Sequence, residues 1–182
     1  MHATRAQAAP PRWRSSGLVP ARIGQGLRAT AAHSTLVLDD ANSTAVMLHG
    51  KLGKGAETVE VERRTITRKG REATRVEASH DGYAARFGLT HSRILTLSGD
   101  GTELAGEDLL VPVSRKGKRG KIGFAIRFHL GRGVETRLSE DGRSASLLWV
   151  DGEGRPHATE QLVIEGLTSR GGGQFSWLLK KM

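Results

Sequence analysis

Cysteine is absent from the 182 residues, which excludes disulfides and thiolate metal sites and leaves the redox compartment unread. Aromatic residues are scarce, at 4%, and tyrosine occurs once, as Tyr83. No basic strand is interleaved with aromatics, so the sequence carries no RNA-recognition signature. Acidic residues are missing from 1–38, where five arginines and the Pro10-Pro11 pair lie within the first 30 positions. That N-terminus also lacks an apolar core of signal-peptide length, so the expectation is that it does not direct export. No apolar run approaches the roughly 18 to 20 residues that a membrane-spanning helix needs. There is no Gly-x-Ser-x-Gly elbow and no glycine-rich loop opening a helix, which removes support for serine-hydrolase and nucleotide-binding readings.

What is present in excess is positive charge. The net value is +9, spread unevenly. One basic cluster runs through Arg63, Arg64, Arg68, Lys69, Arg71 and Arg75, and another is the loop Arg115 to Lys121, with Lys116, Lys118 and Arg119 at its centre. Such stretches suit a polyanion, either nucleic acid or an acidic polysaccharide; equally, they suit solvated loops that keep the chain soluble.

The hydrophobic pattern has the period of strands. Residues 1–26 read as an irregular basic arm, and 27–182 as one domain large enough to bury a core. Ser34 to Leu38 is a compact apolar strand, and a short apolar run follows at Ala45 to Leu48. Thr58 to Thr67 alternates Val59, Val61 and Ile66 with polar residues, and Ala73 to Ser79 leads into a polar knot, His80-Asp81-Gly82-Tyr83. A hairpin follows: Leu95 and Leu97 alternate up to a Gly99-Asp100-Gly101 turn, and the return strand passes Leu104 toward Glu107-Asp108. The clearest strand is Ile122 to Leu130, with Ile122, Phe124, Ile126, Phe128 and Leu130 on one face and Ala125, Arg127 and His129 on the other. A further hairpin, Val134 to Leu138 and Ser144 to Val150, precedes Gln161 to Ile164 and Phe175 to Leu179. With 24 glycines, recurrent turn signals and no sustained helical stripe, the chain reads as all-β, an antiparallel β-sandwich of roughly ten to twelve strands.

Chemistry is harder to place. None of the seven histidines pairs with another at metal-ligand spacing, and a lone histidine in a strand is more often a hydrogen-bonded structural residue than a ligand. Arg127 and His129 share one strand face, which suits either substrate contact or solvation.

Four motifs then occur in order: Ala31-Ala32-His33-Ser34-Thr35-Leu36-Val37-Leu38-Asp39, His80-Asp81-Gly82-Tyr83, Gly106-Glu107-Asp108-Leu109-Leu110, and Phe124-Ala125-Ile126-Arg127-Phe128-His129-Leu130. Together they resemble the C-terminal β-sandwich region of bacterial heparinase II/III-like polysaccharide lyases, over about residues 27–182. The resemblance implies a supersandwich of antiparallel sheets that follows a helical toroid, a periplasmic or cell-envelope setting, and cleavage of acidic polysaccharides by β-elimination. That reaction needs a base for the C5 proton of a uronate, neutralisation of the adjacent carboxylate, and an acid for the departing glycosidic oxygen. In such lyases tyrosine and histidine act as base and acid, and a zinc ion in the sandwich is held by a His-x-His-x-Asp segment, a downstream Asp and the histidine of the Ala-His motif.

Only that last ligand maps, onto His33; residues 1–32 offer His2 and no carboxylate. Zinc needs three or four ligands, so this chain alone is not expected to hold it. The hairpin that the family carries before the Trp149-Val150-Asp151-Gly152 segment is also missing, a shortening that would expose a sheet edge. Tyr83 and His80 fall in a family motif, but the catalytic tyrosine of these lyases belongs to the helical domain, so their expected role is to shape the sandwich or the cleft edge that faces the toroid. The resemblance therefore implies the sandwich portion of a lyase, shortened at its N-terminus and internally. Alone it is expected to be catalytically silent, with the toroid supplied as a separate polypeptide. The rivals are a non-enzymatic polyanion- or glycan-binding module and a β-sandwich remnant with no function of its own.

Overall fold

The structure, a computed structural model, describes residues 26, 28–47, 51–68, 70–114, 120–130, 134–138, 145–149 and 161–181. Among the described residues ten strands are formed: β1 (Leu36–Leu38), β2 (Val59–Arg68), β3 (Arg71–His80), β4 (Leu89–Ser98), β5 (Glu103–Pro112), β6 (Lys121–His129), β7 (Val134–Leu138), β8 (Ala145–Trp149), β9 (Gln161–Ser169) and β10 (Gly173–Lys180). A single turn of helix, α1 (Ala84–Phe87), follows the polar knot. All strand pairs are antiparallel. β10-β5-β4-β3-β2 make a five-stranded sheet, β1-β6-β9 a three-stranded one, and β7-β8 a separate hairpin.

The two larger sheets stack face to face, as a β-sandwich does. Because strand side chains alternate, the register places Leu36, Leu38, Ile122, Phe124, Ile126 and Phe128 on one face of the small sheet. They meet Leu89, Leu110 and Phe175 of the large sheet, with Tyr83 and Phe87 closing one end of the core. The Phe124 and Phe175 rings lie 4.1 Å apart, and Phe128 packs edge-on against Trp177 at 4.8 Å. Gly106 makes room for this packing, since the Trp177 indole lies where a side chain on residue 106 would project.

The expected hairpins form. The β4–β5 turn is fixed by Asp100, which accepts from the Ser98 and Thr102 hydroxyls and the Thr102 N–H, and these bonds pull its pKa down to about 2. Ser34 to Leu38 narrows to Leu36–Leu38, because Ser34 and Thr35 turn their polar groups to the neighbouring strand β6: His129 N–H donates to Ser34 Oγ and Arg127 N–H to the Thr35 carbonyl. Of the apolar run at 45–48, residues 45–47 are described: Val46 forms an isolated bridge to Leu52, and the Ala45 and Met47 N–H groups donate to the Lys54 and Lys51 carbonyls.

Candidate functional site

The sequence singles out His80 and Tyr83, and the antiparallel register explains where they end up. β3 ends at His80, directly opposite His91 on β4; His91 lies opposite Leu110 on β5, and one pleat further on Arg93 lies opposite Asp108. His80, His91, Arg93 and Asp108 therefore share the inner face of the five-stranded sheet. Asp108 is wholly buried, at 0% exposure, and His91 nearly so.

A buried carboxylate is tolerable only when its lone pairs are met. Those of Asp108 are. Its Oδ1 accepts from His91 Nε2 and Arg93 Nε, both at 2.7 Å; its Oδ2 accepts from Arg93 Nη2 and Trp177 Nε1, both at 3.0 Å. Four donors fill a carboxylate's usual capacity, and the two from Arg93 form the bidentate fork that fixes a guanidinium most firmly. Burial acts to raise the Asp108 pKa, but the bonds from His91 and Arg93 outweigh it and hold the carboxyl below the ordinary range. The remaining reach of Arg93 leaves the sheet: Nη1 donates to the Ser34 carbonyl, just ahead of β1.

The imidazoles continue the chain, and one donor of fixed identity sets its direction. Gly82 N–H donates to His80 Nδ1 at 3.1 Å, so that nitrogen carries no proton. The His80 proton is on Nε2, which lies 3.2 Å from His91 Nδ1 and donates to it. His91 then carries its own proton on Nε2 and donates to Asp108. Every link points the same way, from backbone amide to carboxylate. Burial first, and the neighbouring His91 second, push the His80 pKa down; Asp81 pulls weakly the other way. Gly82 is the one residue type that fits here, since a Cβ would sit 2.5 Å from the Ser43 carbonyl oxygen.

Tyr83 is buried at 1% exposure and its hydroxyl donates to the Leu36 carbonyl at 2.9 Å. Burial raises its pKa well above the ordinary phenol value. The phenol thus ties the turn after β3 to β1 of the other sheet, as Arg93 ties β4 to Ser34.

The other expected site residues lie apart from this cluster. His33 is exposed on the segment leading into β1, and no group of three His, Cys, Asp or Glu among the described residues could hold a metal ion. The described residues therefore do not fit zinc. Arg127 and His129 project from the outer face of β6, where His129 Nε2 donates to the Ala31 carbonyl at 2.9 Å and Arg127 Nη2 comes within 3.9 Å of Asp40. The segment leading into β1 covers that face in part. Lys116, Lys118 and Arg119 lie outside the described residues. In the other basic cluster, Arg64 and Arg75 both ion-pair with Glu77 on the outer face of the large sheet.

Sequence reasoning missed His91, Arg93 and Trp177 and treated Asp108 only as part of a motif. The signal was available: His91-x-Arg93 places an imidazole and a guanidinium on one face of a strand, and Asp108 sits on the partner strand of the same hairpin.

Against known proteins, the family model described as "Heparinase II/III-like, C-terminal" matches residues 15–154. The FtsZ-localized protein C of Caulobacter vibrioides (strain NA1000 / CB15N) is 40% identical over 70 residues, which is 36% of this chain and 12% of that protein. The chain thus matches only a small part of this relative's length. No solved structure matches.

Proposed function

Given that this chain belongs to the heparinase II/III-like, C-terminal family, we propose that it is the sheet-built scaffold of a polysaccharide lyase, not the seat of the chemistry. The substrate class is an acidic, uronate-containing polysaccharide, cleaved by β-elimination, and the setting is the periplasm or cell envelope. The observation that carries this reading is the closed hydrogen-bonding of the two residues best suited to acid–base work. The Tyr83 hydroxyl is spent on the Leu36 carbonyl, and both His80 nitrogens are engaged within the fold. An elimination base must come within about 3 Å of the proton it removes. A buried phenol with a raised pKa would first have to break the bond that ties it to β1.

On this reading the base, the acid and the groups that neutralise the uronate come from a helical domain outside these residues. The cluster at Asp108 holds the two sheets in the arrangement that such a domain would meet. The test is incubation of the purified chain with uronate-containing polysaccharides, following the ultraviolet absorbance of the unsaturated product. No turnover is expected from the chain alone. Turnover that Tyr83→Phe or His80→Gln abolishes while the fold is kept would overturn the scaffold reading.

A second reading, a non-enzymatic polyanion-binding module, draws on the net charge of +9. It expects salt-dependent retention on immobilised heparin that falls when Lys116, Lys118, Arg119 and Lys121 are neutralised together. Equal retention of that variant would count against it.

A further inference from the structure

We propose that the His80–His91–Asp108 chain is an acid-sensitive latch between the two sheets: one proton taken up by His80 releases the turn at Asp81–Tyr83 and, through Tyr83, the segment that carries Leu36. The geometry leaves little alternative. A second proton on His80 can go only to Nδ1, the atom that accepts the Gly82 N–H, so uptake sets two donors face to face at 3.1 Å. Ser43 also packs closely against Gly82, so the turn has little room to adjust. Tyr83 is the next residue, and its hydroxyl holds the Leu36 carbonyl. One proton is thereby linked to a contact between β1 and the turn after β3.

The charged and titratable groups facing His80 are few. Asp81, on the same turn, favours the proton; its carboxylate is engaged with the Glu57 N–H at 2.8 Å. His91 on β4 opposes it, and beyond His91 stand Asp108 of β5 and Arg93 of β4, which saturate each other. On β2 the facing residue is Val59, which is uncharged, and Tyr83 stacks at 5.5 Å with its phenol neutral. Burial and His91 together keep His80 neutral in the fold at pH values where an unfolded imidazole, near pH 6.5, takes up its proton. The unfolded chain then binds more protons than the folded one, so stability rises with pH in that window. The contribution is complete above about pH 6.5 and is lost as pH falls below it toward the folded-state value.

The experiment is urea unfolding of the full chain at pH 7.5, 6.5 and 5.5, compared with His80→Gln and with His33→Gln as an exposed-histidine control. The folding equilibrium constant of the wild type should fall by up to about tenfold between pH 7.5 and 5.5. His33→Gln should follow it, and His80→Gln should be nearly flat over the same range. A flat wild type, or an unchanged fall in His80→Gln, overturns the latch. Should His80→Gln fail to fold, NMR on the wild type decides. The Gly82 amide signal is expected to shift together with a His80 ring titration centred below pH 6.5. A His80 that titrates at or above that value, with the Gly82 amide unmoved, overturns the proposal.

Discussion

The inner face of the five-stranded sheet has two halves, and each carries what the other would be expected to have. The half under the small sheet holds His80, His91, Arg93 and the fully buried Asp108. The half beyond it presents leucines: Leu97 opposite Leu104, which in turn lies opposite Leu179. Leu97 is 43% exposed and Leu179 39%. The buried charges are tolerable because each is met by a partner of fixed geometry, so the cluster rewards exact placement where leucines would tolerate repacking. The exposed leucines sit where the small sheet does not reach, and their removal has little to disturb.

The comparison breaks most sharply at Asp108. Asp108→Asn turns an acceptor edge into a donor facing Arg93 and Trp177 and leaves the guanidinium without its counter-charge. Breaking one partner of a buried pair costs about 3–5 kcal/mol, against a total stability of about 5–15 kcal/mol for an ordinary domain. Urea unfolding at pH 7.5 should find the variant near the edge of folding. Gly106→Val comes next, because it displaces the Trp177 indole that donates to Asp108. Overpacking of this kind costs about 1–3 kcal/mol, and the Trp177 indole N–H signal should shift in the same sample. Tyr83→Phe keeps the ring and leaves the buried Leu36 carbonyl without its donor, a loss of about 1–3 kcal/mol in the same assay. Smallest is Leu97→Thr or Leu179→Thr in the uncovered half, expected within about 0.5 kcal/mol of wild type. A cost above about 1 kcal/mol there would mean that this half is covered in solution, and the contrast between the halves would disappear.

Acid titration sharpens the same contrast. The pKa of Asp108 is depressed in the fold, so its stabilisation is complete above about pH 4 and is lost as pH falls below the unfolded carboxylate value. Wild-type unfolding should therefore steepen again below about pH 4, and a variant in which Asp108 is replaced should lack that share of the loss.

Most of the fold was legible in the sequence because strand period, turn residues and β-branched runs are local signals. β6 appears as the alternation of Ile122, Phe124, Ile126 and Phe128 with Ala125, Arg127 and His129, and the β4–β5 hairpin as the Gly99-Asp100-Gly101 turn. What the sequence does not carry is which strands meet. Trp177 reaches Asp108 only because β10 pairs with β5, 69 positions away along the chain, and Tyr83 reaches Leu36 across 47. The first contact is set by strand pairing within the large sheet and the second by the stacking of the two sheets. His33, marked by its motif, stays exposed, while the unmarked pair of His91 and Arg93 makes the buried contacts.

The ordered chain from the Gly82 amide to Asp108 is most directly tested by assigning the protons on its two imidazoles. In a long-range proton–nitrogen correlation spectrum at pH 7.5, His80 and His91 should both be neutral rings carrying their proton on Nε2. A proton on Nδ1 of either ring would contradict the account, because the Gly82 and His80 donors would then have nothing to donate to.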